Sequence, residues 1–191
     1  MTWAQRIMFI REAQIADAAA IARVHVDSWR TTYAGILPEE FLTQLSYEQR
    51  ERQWRSSLSN RSEFIYVAYD AGGDITGFAS GGPERNGDPI YRGELYTVYL
   101  LEQYQRKGTG RQLISWVAKR LLQEGIESML VWVLAENSSR RFYETLGARL
   151  LREKNITIGG VEVVEVAYGW QDIHPLAGIH QWRSVDAPGV L

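Results

Sequence analysis

The chain has 191 residues, 45% of them hydrophobic, enough to bury one substantial core and too few to build a second beside it. Lys and Arg total 21 against 23 Asp and Glu, and neither sign gathers into a long block, so no electrostatic footprint for DNA or RNA is expected. Cysteine is absent, which excludes disulfides, thiolate metal sites and a cysteine nucleophile, and leaves any thiol chemistry to a cofactor.

The apolar stretch Ile7 to Ile10 is too short for a signal-peptide core and no later run approaches membrane-spanning length, so a cytoplasmic protein without membrane contact is expected. Residues Ile7 to Arg11 read as a short strand. Asp17 can then cap a helix whose positions Ala18, Ile21, Ala22, Val24 and His25 recur at helical spacing, ending near Trp29. Pro38, Glu39 and Glu40 suit the positive end of a second helical region, Pro38 to Ser56, broken at Ser46. His25, His174 and His180 are too few and too scattered for a zinc cluster, and no metal is expected.

Glu63 to Tyr69 and Ile75 to Ser80 read as two strands of a hairpin turning at Ala71-Gly72-Gly73-Asp74. A Gly-, Pro- and Asn-containing loop, Gly81 to Asp88, precedes a third strand, Gly93 to Leu100. From Gly108, the residues Leu113, Ile114, Val117, Ala118, Leu121 and Leu122 define an amphipathic helix that stops at Gly125. Met129 to Leu134 reads as a buried strand and Ser138 to Leu146 as a short helix closed by Gly147. Leu150 to Ile158 and Val161 to Trp170 form a hairpin at Gly159-Gly160. The class is α+β, with one domain over 7–170. Residues 171–191 form a tail that is flexible or packs on a partner, and Trp170, Trp182 and the last hairpin offer a homodimer surface.

The informative segment is an apolar strand, a short basic loop with glycines, and an amphipathic helix: Val98, Tyr99, Leu100, then Gln105-Arg106-Lys107-Gly108-Thr109-Gly110-Arg111. A helix start offers unpaired amides and a positive dipole end, glycines allow close approach of a phosphate, and Arg106, Lys107 and Arg111 add charge. The spacing is neither a Walker A loop nor the dinucleotide GxGxxG, which weighs against nucleotide hydrolysis and hydride transfer.

Gln105-x-x-Gly108-x-Gly110 resembles the coenzyme A pyrophosphate signature of the GNAT superfamily of N-acetyltransferases, Q/R-x-x-G-x-G/A. The segment from Asn137 through Phe142-Tyr143 to Leu146-Gly147 resembles that family's later motif, and the resemblance spans about Ile7 to Trp170. It implies a central, mixed and mostly antiparallel sheet flanked by helices, whose strands ending near Leu100 and beginning near Met129 splay to admit the pantetheine arm. By position, Val98, Tyr99 and Leu100 match the stretch whose backbone pairs with pantetheine. Arg106, Lys107, Gly108, Thr109, Gly110 and Arg111 match the phosphate loop that Gln105 opens, and Asn137 matches a coenzyme A contact. Glu102 stands where the family commonly has a proline.

The implied activity is transfer of an acetyl group from acetyl-CoA to a small-molecule, peptide or protein amine by direct attack in a ternary complex. Tyr143 is then the acid toward the thiolate, since a neutral phenol can donate at physiological pH. A backbone amide near Leu100 stabilises the oxyanion, and Glu94 matches a glutamate base acting through water. Trp29 and Tyr33 fall in the region that lines the acceptor side. Bland readings stand beside these: a core tyrosine at Tyr143, a solvated strand-end glutamate at Glu94, a helix cap at Asn137, and a packed helix junction at Trp29. The competing function is a non-catalytic acyl-CoA sensor on the same fold.

Overall fold

The computed structural model describes residues 8–60 and 62–178. Seven strands form one sheet in the order β1-β2-β3-β4-β5-β7-β6: β1 Phe9–Glu12, β2 Phe64–Tyr69, β3 Ile75–Pro83, β4 Gly93–Leu100, β5 Met129–Leu134, β6 Arg149–Ile158 and β7 Val161–Trp170. Every neighbouring pair is antiparallel except β4 and β5, which run parallel. The mixed, mostly antiparallel sheet expected from the sequence is therefore the observed one. Among the described residues no helix is long and apolar enough to cross a membrane.

Helices cover both faces of the sheet, which is why its inner strands carry apolar side chains at consecutive positions. Ile65 and Val67 of β2 and Phe78 of β3 pack against α1 (Ala18–Thr32) and Trp54 of α3 (Tyr47–Ser59). Phe64, Tyr66 and Ala68 face the other way, onto Leu113, Ile114, Val117, Ala118 and Leu121 of α4 (Thr109–Gln123). Gly81 of β3 permits that packing, because a Cβ there would lie 2.5 Å from Val117 Cγ1 and 2.8 Å from the Glu94 carbonyl oxygen. Any larger residue would push α4 off the sheet.

Several boundaries differ from the sequence reading for local reasons. Helix α1 runs on to Thr32, because Arg30 is held by the carbonyls of Leu42, Thr43 and Leu45 and by the Tyr47 hydroxyl. Asp17 stands at the N-cap of α1 but makes no side-chain cap to it; its carboxylate instead pairs with Arg11 and accepts the Gln14 N–H, capping the short turn Ile15–Asp17 that precedes the helix. The expected break at Ser46 separates α2 (Glu39–Thr43) from α3, and the Ser46 hydroxyl caps α3 by accepting the Gln49 N–H at 3.1 Å.

A short α5 (Arg140–Thr145) links β5 to β6. Beyond Trp170, α6 (His174–Ala177) closes the described chain, and Ile173 and Leu176 are buried in the α4-side core, which thus continues past residue 170. Trp170 itself is 4% exposed and its Nε1–H donates to the Leu146 carbonyl, so its ring belongs to the monomer's interior. Trp182, His180 and the rest of the tail lie outside the described residues.

Candidate active site

The site originates in one extra residue. Ser80 pairs with Thr97 but Gly81 pairs with Leu95, leaving Tyr96 as a β-bulge in β4. A bulge bends its strand and increases the local twist. Pairing between β4 and β5 covers only Gly93 to Leu95 against Met129 to Val131, and it stops where the bulge begins. Past that point the two strands diverge and open a cleft of about 380 Å³.

The direction of the β4 backbone follows from a single hydrogen bond. The Leu101 N–H donates to the Thr76 carbonyl at 2.9 Å, and bonded pairs alternate along an antiparallel ladder. Thr97 and Tyr99 therefore turn their N–H and C=O groups toward β3, and Val98 and Leu100 turn theirs toward the cleft. Gln105 reports that direction, since its Nε2–H donates to the Leu100 carbonyl at 3.0 Å and ties the loop to the strand edge.

At the mouth of the cleft α4 begins. Gly108 is its N-cap at φ 85°, a left-handed backbone that glycine adopts without strain. The N–H groups of Gly108, Thr109, Gly110 and Arg111 have no acceptor among the described residues. Such a helix start is an anion site by geometry and by dipole. Arg106, Gly110 and Arg111 line the cleft with it. Arg106 holds a positive φ of 58°, a conformation that costs a non-glycine residue about 1 kcal/mol or more.

On the far wall stand Val131, Trp132 and Val133 of β5 and Asn137, Phe142 and Tyr143. Asn137 shapes the approach to α5, because its Oδ1 accepts the Ser139 N–H at 2.9 Å. Tyr143 is 6% exposed, its ring lies among Phe142, Tyr168 and Trp170, and its hydroxyl has no hydrogen-bond partner among the described residues. Burial, and secondarily the neighbouring Tyr33, push its ionisation well above the ordinary phenol value, so it remains a neutral donor. The Tyr33 and Tyr99 hydroxyls meet at 3.0 Å in the same cleft.

The cleft thus brings together Val98, Tyr99, Leu100, Gln105, Arg106, Gly108, Gly110, Arg111, Asn137, Tyr143 and Tyr33. Four expected residues lie off its lining. Lys107 donates to the Gln103 carbonyl, and Thr109 is buried under the loop. Trp29 packs between His25, Tyr33 and Phe41. Glu94, 1% exposed, is held by the Arg85 guanidinium in two contacts, one of them from Nε to Oε2 at 3.0 Å. The sequence reading missed the β5 wall and Thr32, Tyr96 and Thr97, because a parallel neighbour and a bulge leave no periodic signal.

Comparison with known proteins follows this geometry. Residues 23–148 match the acetyltransferase (GNAT) family model. An uncharacterized N-acetyltransferase of Bacillus subtilis, YuaI, is 46% identical over 168 residues, covering 87% of this chain and 95% of its own.

This chain belongs to the GNAT acetyltransferase family.

A spermidine N(1)-acetyltransferase of Thermoplasma acidophilum is 26% identical over 133 residues, 68% of this chain and 80% of its own. The structure of a PaiA N-acetyltransferase from the same organism, in complex with coenzyme A, superposes with a TM-score of 0.64 at 27% identity, over 83% of this chain and 98% of that one. The family and its N-acetyltransferase relatives make this chain an acetyltransferase, with the fold its sequence resembles.

Proposed function

We propose that the chain transfers an acetyl group from acetyl-CoA to the amine of a small molecule by direct attack within a ternary complex. One observation carries this: the β4 edge at Val98 and Leu100, the unpaired amides at Gly108 to Arg111 and Tyr143, whose hydroxyl makes no hydrogen bond among the described residues, belong to one cleft. The residues present fit the cosubstrate. The strand edge supplies donors and an acceptor for an amide-bearing arm, and the helix start with Arg106 and Arg111 supplies donors and charge for a pyrophosphate. Acetyl-CoA contributes an activated thioester, and the protein must do the rest.

In the transfer, the amine nitrogen forms a bond to the acyl carbon, the carbon–sulfur bond breaks, the nitrogen releases a proton to solvent and the sulfur gains one. The cleft-facing amides of Val98 and Leu100 are the donors available to the acyl oxygen as negative charge builds on it. Tyr143 gives its proton to the departing sulfur and regains one from solvent. Glu94 fixes the wall behind the bulge through Arg85 in this reading, since its carboxylate is already occupied. The spermidine-acetylating relative supports a small amine as acceptor.

The test is calorimetric titration with acetyl-CoA followed by free-thiol release across a panel of amines. Amine-dependent release establishes the reaction. Tight binding without release across the panel would favour a sensor, and absence of binding would overturn the reading.

A further inference from the structure

A second cavity, of about 440 Å³, lies on the α1 and α3 side of β4 and shares Tyr96 and Thr97 with the cofactor cleft. Its volume suits a small ligand. Its charges are unevenly matched. Arg85 is neutralised by Glu94, and Glu63 lies toward Arg85. Arg50, half-buried, has no carboxylate within 4.0 Å among the described residues. Among the described residues its guanidinium donates to the Gln53 side-chain oxygen at 2.9 Å and lies 5.8 Å from the centre of the Trp29 ring.

His25 lines the same cavity as a neutral ring. The Trp54 indole N–H donates to His25 Nδ1 at 3.1 Å, so the ring proton resides on Nε2, and that buried N–H has no acceptor. Burial and the Arg50 charge push His25 down to about 3, which keeps the ring neutral. A half-buried guanidinium on a cavity wall with no carboxylate partner offers its remaining N–H groups to the oxygens of a ligand.

We propose that this cavity seats a carboxylate of the acceptor against Arg50, beside the neutral ring of His25, making the acceptor an amino acid or a close relative whose amine reaches the acyl group past Thr97. The inference rests on the acetyltransferase reading above. One unpaired guanidinium, with Glu63 in the same cavity, matches a monoanion better than a phosphate dianion, and a guanidinium fork fits a carboxylate in two hydrogen bonds. A polyamine would add positive charge beside Arg50 and would have Glu63 as its one carboxylate on the cavity lining.

The experiment measures thiol release from acetyl-CoA with the standard L-amino acids, the carboxamide of each, and spermidine. At least one amino acid should be acetylated with a kcat/KM about 10- to 100-fold above that of its carboxamide, the range expected for hydrogen bonds to charged groups. Arg50→Met should bring that ratio near one, chiefly through KM, Arg50→Lys should keep part of it, and neither should change the acetyl-CoA Kd. The wild-type ratio is decisive even where Arg50→Met fails to fold. Equal use of acid and carboxamide, preference for spermidine, or no amino acid accepted by a protein that binds acetyl-CoA would overturn the inference. Failure to bind acetyl-CoA would instead overturn the acetyltransferase reading, and this inference with it.

Discussion

Replacing Tyr143 by Phe removes one oxygen and keeps the ring, whose centroid lies 5.6 Å from that of Phe142 and 6.3 Å from those of Tyr168 and Trp170, so the ring packing is retained. The hydroxyl makes no hydrogen bond among the described residues, so stability should change by no more than about 0.5 kcal/mol. The rate should behave otherwise. A positioned proton donor contributes about 10²- to 10⁴-fold, equivalent to about 3 to 5 kcal/mol on the barrier. We therefore expect kcat for thiol release to fall at least about 10²-fold with an unchanged acetyl-CoA Kd and melting temperature. The pH profile adds a check on sign. Because the folded-state pKa of Tyr143 is raised, the protonated phenol persists above the ordinary value of 10.0, and wild-type kcat should not decline through loss of this proton between about pH 7 and 10. A kcat within about threefold of wild type, or a loss of rate matched by a loss of melting temperature, would refute the assignment.

Gly110→Val places methyl groups where a Cβ would already lie 3.4 Å from both Leu100 Cδ1 and Phe142 Cζ, so the acetyl-CoA Kd should rise at least about tenfold by calorimetry while the helix persists. Arg85→Met should destabilise more than Glu94→Gln in denaturant melts. It strands a buried carboxylate, at a cost of about 3 to 5 kcal/mol, whereas losing Glu94 leaves an arginine that is 59% exposed. The kcat profile of Glu94→Gln should keep its acidic limb, and loss of that limb would make Glu94 the base. For His25, the folded pKa is pushed below the ordinary 6.5 to about 3, so its contribution is complete above pH 6.5 and is lost as the pH falls toward the folded value. Chemical-denaturation stability should drop by up to about 1.4 kcal/mol per pH unit across that window, and His25→Gln should flatten the slope.

Much of the fold is written in local pattern. Helix α4 is legible because Leu113, Ile114, Val117, Ala118 and Leu121 recur on one face and all are fully buried. Strands β4 and β5 fall on the residues expected for them, since each is a dense apolar run between turn formers. Motif spacing singles out the loop Gln105 to Arg111 and Tyr143, and Gln105, Arg106, Gly108, Gly110 and Arg111 line one cleft with Tyr143. What escaped is everything that depends on pairing between distant segments. Nothing at Glu94 announces Arg85, and nothing at His25, an apparent apolar-face residue of α1, announces that Trp54 would fix its tautomer. Arg50 reads as one more polar residue of α3 until the absence of a carboxylate partner is seen in three dimensions.

The bulge at Tyr96 ties these pieces together. Side chains alternate strictly along a strand, so Leu95 should share a face with odd-numbered neighbours. Instead Leu95 packs into the α4-side core together with Val98 and Leu100, and Tyr99 packs with the α1-side residues and stacks on His25 at 5.1 Å. One extra residue has exchanged the faces of everything after it. Without it, Tyr99 would enter the α4-side core, Val98 and Leu100 would face α1, and β4 could continue its ladder with β5. The same local event thus ends the parallel pairing, leaves the β4 edge beyond Leu95 unpaired with β5, and puts Tyr96 and Thr97 in the walls of both cavities, so that the two proposed substrate sites meet across one strand.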